Sequence, residues 1–359
     1  MEKVKLKDIC RLINGRAYKQ EELLDSGKYP VLRVGNFFSD KVFYYSDLEL
    51  EEDKYCDNGD LLFAWSASFG PKIWDGEKVI YHYHIWKMEL TDRVNKEFLF
   101  YYLFHLSERI KSEGHGGIMI HTTKAEMEER EFNLPTLEEQ IAISEILNKV
   151  MSVIDKRKEE LSVLDDLIKA RFVEMFGSIH ESTKYPYIAV KDLTDITSGG
   201  TPSRDKTEYW DNGTIPWVKT TELQNNVLID VDEHITEAGL AGSSAKLVPV
   251  GTILVAMYGQ GKTRGMTAYL GVEASTNQAC ACILPSDKVD SMFMWKYFEL
   301  SYDKLRSLAQ GAGQPNLNGN MIKNFQVLVP PIELQKEYVD FVHQINKSKV
   351  VDIDKKDKL

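Results

Sequence analysis

The sequence predicts an α+β fold: two mixed α/β modules, joined and spaced by long antiparallel coiled-coil helices and related by an internal pseudo-two-fold duplication. Three observations predict it. One stretch, 136–176, contains no Gly or Pro and sets its apolar residues three and four apart, the period of a helix. The segment leading into it recurs before a second helical stretch near the C-terminus. Short apolar runs bounded by Gly, Asp and Pro lie ahead of each, as strands and turns do.

The long stretch reads as one rod of about 60 Å at 1.5 Å per residue. Its positions Ile143, Leu147, Val150, Ile154, Arg157, Leu161, Leu164, Ile168, Arg171 and Met175 step by four and three, and eight of the ten are apolar, which is a coiled-coil seam. Gly177 ends it as a C-cap. Such a seam needs another helix to cover it. The candidate begins at Ile332, where Leu334, Tyr338, Val342 and Ile345 repeat the stepping before the pattern dissolves into 347–359, a charged segment expected to fray.

The duplication rests on four matches in the same order. Leu134-Pro135-Thr136-Leu137-Glu138-Glu139-Gln140 parallels Val329-Pro330-Pro331-Ile332-Glu333-Leu334-Gln335, and Val4-Lys5-Leu6-Lys7-Asp8-Ile9 parallels Ala189-Val190-Lys191-Asp192-Leu193, with Asn14-Gly15-Arg16 opposite Ser198-Gly199-Gly200. Tyr29-Pro30-Val31-Leu32-Arg33 aligns with Ile215-Pro216-Trp217-Val218-Lys219, and 58–64 with 250–256. Within each module the runs 61–65, 79–90, 252–257 and 279–284 read as strands, and 97–111 and 291–307 as helices.

With 359 residues and 43% apolar side chains the chain can bury two cores, and no run of eighteen apolar residues offers a membrane span. The N-terminus lacks the apolar core of a secretory signal, so a cytoplasmic location is expected. Cys10, Cys56, Cys280 and Cys282 form no Cys-x-x-Cys pair. A net charge of −11 argues against a protein that coats nucleic acid non-specifically, while leaving room for local basic loops.

Candidate chemistry concentrates in loops. The segment 256–263 ends in Gly261-Lys262-Thr263, like a phosphate-binding loop, which keeps a nucleotide-binding protein as an alternative reading. Against it, Ala256 stands at the first glycine position, and Gly265 falls where the phosphate-binding helix should begin. The loop reads better as a hairpin offering Gln260, Lys262, Thr263 and Arg264 to base edges and phosphates. Its counterpart after the equivalent strand carries Ser66, Ser68 and Lys72. A second pair of polar loops offers Gln314 and Asn316 in one module and His115 and His121 in the other, and Lys219 adds a cation. His82 and His84 stand at strand spacing with no third ligand, so no metal is expected. No carboxylate pair, methyltransferase signature or dinucleotide fingerprint suggests catalysis.

Three features together resemble one family. They are Ser198-Gly199-Gly200-Thr201-Pro202-Ser203 followed by Tyr209-Trp210 and Ile215-Pro216-Trp217-Val218; the junction at 135–140; and Arg171-Phe172-Val173-Glu174-Met175-Phe176-Gly177 closing the helix. In these the chain is similar to the DNA-specificity (S) subunits of type I restriction-modification systems. The resemblance implies target-recognition domains at 1–135 and 186–331, each binding half of a bipartite site in double-stranded DNA. It implies a central conserved helix at 136–177 and a distal one at 332–359, paired antiparallel and docking methyltransferase (M) subunits, with a restriction (R) subunit able to join. A rod of this length suits half-sites about one helical turn, roughly 34 Å, apart. Such a chain is not an enzyme and binds no cofactor; S-adenosylmethionine, ATP and Mg belong to its partners. An assembly scaffold that does not read DNA is a further alternative. One departure is the distal helix, expected to run out after Ile345 and so to leave the central seam near 161–175 without cover.

Overall fold

The computed structural model describes residues 2–39, 41–66, 69–113, 122–259, 261–310 and 315–354. The chain divides into two compact units, Met1–Arg157 and Lys158–Leu359.

In the first unit β1 (Glu2–Lys5) closes antiparallel on the last strand of its module. Four strands, β2 (Cys10–Asn14), β6 (Leu61–Ala64), β7 (Gly70–Ile73) and β9 (Ile85–Leu90), form a sheet in the order β2-β9-β6-β7. A smaller sheet has the order β4-β3-β8-β5, from β3 (Tyr29–Leu32), β4 (Tyr44–Ser46), β5 (Tyr55–Cys56) and β8 (Val79–Tyr81). Helix α1 (Lys96–Glu113) follows, and β10 (Glu131–Leu134) pairs with β1. Strand β6 is buried on both faces because side chains alternate with a period of two. Leu61 and Phe63 join the core with Leu99 and Leu103 of α1, while Leu62 and Ala64 join Leu32, Tyr81 and Ile85 on the other side.

The second unit repeats this plan. Strands β12 (Ile196–Ser198), β14 (Asn226–Leu228), β16 (Ile253–Ala256), β17 (Thr267–Leu270) and β19 (Cys280–Ile283) lie in the order β12-β19-β16-β17-β14, beside a sheet of β13 (Ile215–Val218), β15 (His234–Ile235) and β18 (Ser275–Thr276). β11 (Tyr187–Ala189) pairs with β20 (Gln326–Leu328) as β1 pairs with β10. Strand β16 also divides two cores, Ile253 and Val255 facing α3 (Ser291–Leu300), Leu254 and Ala256 facing away.

The duplication is visible bond by bond. His82 N–H donates to Leu32 O (2.9 Å) as Asn277 N–H does to Val218 O (3.0 Å); Trp65 N–H donates to His84 O (3.1 Å) as Met257 N–H does to Ala279 O (2.9 Å). A Cβ at Gly15 would collide with the Tyr81 and His82 carbonyls, and one at Gly199 with the Thr276 carbonyl, which accounts for the paired glycines in the repeat. The repeated glutamine at each junction is a buried clamp. Gln140 donates to Arg93 O (3.1 Å) and Pro135 O (2.9 Å) and accepts from Asn95 N–H (2.8 Å); Gln335 donates to Pro330 O (2.7 Å) and accepts from Asp290 N–H (2.8 Å).

The predicted rod is a single helix, α2 (Leu137–Phe176). Thr136 and Glu139 cap each other's backbone N–H at its start, and Gly177 adopts φ +87° at its end. The cover falls elsewhere than expected. Helix α4 (Ile332–Asp354) continues past Ile345, because Lys347 and Lys349 tolerate solvent without breaking a helix, and Lys349 pairs with Asp165. Tyr338 and Val342 bury Ile168, Phe172 and Phe176, with Met175, Leu334 and Ile345 packed around them, so the end of the seam is covered. Arg171 meets Glu337 (2.8 Å) and Asp165 meets Lys349, so the two helices run antiparallel here. Leu147, Leu161 and Leu164 are half-buried, while Ile143 (37%), Val150 (48%) and Ile154 (41%) stay exposed: the bare part of the seam is its beginning, not 161–175. Among the described residues no helix is long and apolar enough to cross a membrane.

Candidate nucleic-acid interface

Each module gathers its loops at one end of its larger sheet. There the β6–β7 hairpin meets the β8–β9 turn through the Trp65–His84 backbone bond, and the β16–β17 hairpin meets the β18–β19 turn through Met257–Ala279. The next segment joins them in both copies: Thr122 N–H donates to Trp65 O (3.3 Å), and Leu317 N–H to Met257 O (3.0 Å). The frame is therefore backbone, and the side chains it presents are free to differ.

In the second module the hairpin turns through Gly259, Gly261 and Gly265, all at positive φ. Lys262 is exposed at its tip, its carbonyl held by the Tyr302 hydroxyl (2.6 Å). Thr263 is half-buried against Gly259. Arg264 faces inward: its guanidinium donates to Pro315 O, its carbonyl accepts from Arg306 (2.8 Å), and its Nε is buried without a partner among the described residues. Asn316 exchanges backbone bonds with Gln310 (3.0 and 3.1 Å), and its buried Oδ1 likewise has no described partner. Lys219 is held by Glu233 (3.0 Å) and Asp232 (3.4 Å), which raise its pKa. After Thr263 the chain enters strand β17, not a helix, so the Gly261-Lys262-Thr263 loop lacks the helix N-terminus a phosphate-binding loop requires.

In the first module Ser66 is buried, and Lys72 lies within β7, 3.4 Å from Asp75 and over the Trp74 ring. The predicted contacts Ser68, His115, His121, Gln260 and Gln314 lie outside the described residues. His82 and His84 lie in a turn, not on a strand, because Ile85 N–H donates to His82 O (2.9 Å) after β8 has ended; their rings nevertheless stand together, 4.8 Å apart. They belong to a ring cluster that sequence reasoning missed. Tyr83 lies 3.9 Å from His84 and 4.5 Å from His82, centroid to centroid, and Trp65 lies 4.9 Å from His84. Trp65 Nε1–H donates to Tyr83 O (2.8 Å), fixing the turn. Burial, then the charges of His84 and Arg33, push the His82 pKa down to about 4, and burial lowers that of His84.

The model of the type I restriction modification DNA specificity domain matches residues 1–164 and again 182–358. The chain belongs to the type I restriction-modification DNA specificity family. Among its relatives, the specificity subunit of the type I restriction enzyme EcoR124I/EcoR124II of Escherichia coli is 25% identical over 41% of this chain, and the match spans 37% of that protein. The MjaIX subunit of Methanocaldococcus jannaschii is likewise matched over 34% of its length, so the chain spans about a third of these relatives. The MjaVIII specificity subunit of the same organism is 24% identical over 99% of this chain and 88% of its own length. The fold agrees with the S subunit of the type I restriction-modification system of M. genitalium: TM-score 0.53 at 16% identity, over 97% of this specificity-family chain and 90% of that one.

Proposed function

We propose that this chain is the non-catalytic subunit that specifies the DNA sequence of a type I restriction-modification complex, each module binding one half of a bipartite double-stranded site. The observation that carries the reading is one backbone frame built twice, with different side chains at its loop end: an aromatic and imidazole group in one copy, a lysine-tipped hairpin in the other. A constant frame with unlike readers suits recognition of two unlike half-sites, because base contacts come from side chains while the frame fixes their register. Methyltransferase subunits docked on the helices would bring S-adenosylmethionine, and a restriction subunit ATP and Mg. Such a complex works in the cytoplasm. Methylome sequencing of a host expressing this chain with its methyltransferase subunit tests the proposal; two short specified blocks separated by unspecified bases are expected, and a continuous motif refutes it.

A further inference from the structure

The two modules place a cation at the same point and treat it differently. Strands β3 and β8 run parallel with Leu32 beside Tyr81, so the next residues, Arg33 and His82, leave the sheet together. In the second module Val218 lies beside Thr276, which makes Lys219 and Asn277 their equivalents. Lys219 is neutralised by Glu233 and Asp232. Arg33 is exposed, and among the described residues no carboxylate lies within ion-pair distance; its guanidinium rests on the Tyr44 ring, 5.1 Å from the centroid.

Beside Arg33 stands the ring cluster. Tyr83 is 37% exposed and His84 half-exposed, with His82 and Trp65 behind them. His82 Nδ1 accepts the His84 N–H (3.4 Å), so its Nε2 carries the proton and can donate. Rings of this kind present single donors and acceptors to base edges in a groove, and a cation alongside suits a phosphate. The equivalents in the second module, Asn277, Gln278 and Ala279, offer no ring.

We infer that the first module meets DNA through Arg33 on a phosphate and the rings of His82, Tyr83 and His84 on bases, with Tyr83 and His84 determining part of the first half-site. This rests on the reading that the module binds DNA. It also implies that the second module draws its phosphate contact from elsewhere than Lys219.

The test uses the chain co-expressed with its methyltransferase subunit. The triple variant His82→Asn, Tyr83→Gln, His84→Ala gives the first module the turn of the second; one half of the methylated motif should change its accepted bases while the other half stays. Exchanging residues 186–331 for another family member's module should change that other half. Arg33→Ala should leave the motif intact but reduce the slope of log affinity against log salt by about one for a duplex carrying it. If the triple variant melts lower than the natural chain, Tyr83→Phe with His84→Gln, which keeps the packing, is read in the same way. An unchanged motif in the ring variants together with an unchanged salt slope for Arg33→Ala overturns the inference. A natural chain that yields no bipartite motif fails earlier and refutes the proposed function itself.

Discussion

Replacing Phe172 with alanine should be the most costly single change in the second unit. Its side chain is 0% exposed and its ring lies among Phe176 (5.0 Å), Tyr338 (5.5 Å), Tyr297 (5.9 Å) and Phe293 (6.0 Å), so α2, α3 and α4 all lose contacts at once. Removing a fully buried phenylalanine costs about 3–5 kcal/mol, because the transfer energy is lost and the cavity cannot collapse. The site resists collapse, since the Tyr338 hydroxyl is tied to Ile168 O (3.3 Å). For a unit of this size that is a fall in Tm of roughly 10 °C. Urea unfolding should show a lower midpoint with the slope unchanged. Ile146→Ala, at a position 61% exposed, is the control and should stay within about 0.5 kcal/mol. A cost below about 1 kcal/mol for Phe172→Ala would falsify the view that the end of the central helix and the C-terminal helix share one core with their module.

Two further predictions concern local devices. The His82 pKa is about 4 in the folded chain against about 6.5 unfolded, so the unfolded chain takes up the proton first as pH falls; stability is retained above about 6.5 and lost between there and about 4. The groups around the ring are Tyr83, His84, Arg33, Tyr18 and Arg16, none of them a carboxylate. His82→Asn should shrink the loss of stability of the first unit between pH 7 and pH 5 by on the order of 1 kcal/mol in denaturant titrations, and identical losses in both proteins would show that the imidazole is not desolvated. Gln140→Ala strands two carbonyls and one N–H in a buried corner, and Gln335→Ala strands one of each, so costs of about 2–3 kcal/mol are expected, with Gln140 the larger. Equal stability of either variant and the natural chain by calorimetry would count against the clamp.

The repeat was legible because the backbone demands it: glycines at 15 and 199 allow close strand approach, and the glutamines at 140 and 335 close the same corner. What could not be read is which cation the described residues leave without a carboxylate. Arg33 and Lys219 occupy matching places in the sequence, but the carboxylates that neutralise Lys219 arrive from 232–233, and only folding brings them there. The histidine spacing misled for a similar reason, since an alternation of two does not reveal that the strand stops at Tyr81 and turns. Along the central helix the 3-4 pattern marked an apolar stripe, but Phe172 and Phe176, the most buried residues of its end, lie one step off the seam positions, and Ile143, Val150 and Ile154 stay exposed. It carried no information about which turns of that face α4 would reach.

A main-chain bond unites hairpin and turn in each module, Trp65 with His84 and Met257 with Ala279. That shared bond does not depend on the side chains around it, although in one copy the Trp65 indole adds its own N–H to the Tyr83 carbonyl. Substitutions at His84 or Ala279, which contribute only a carbonyl to it, alter what is displayed while leaving that bond intact. A population of such chains can therefore vary these side chains at little cost in folding, because the strand pairs that close the two copies, β1 with β10 and β11 with β20, do not involve them.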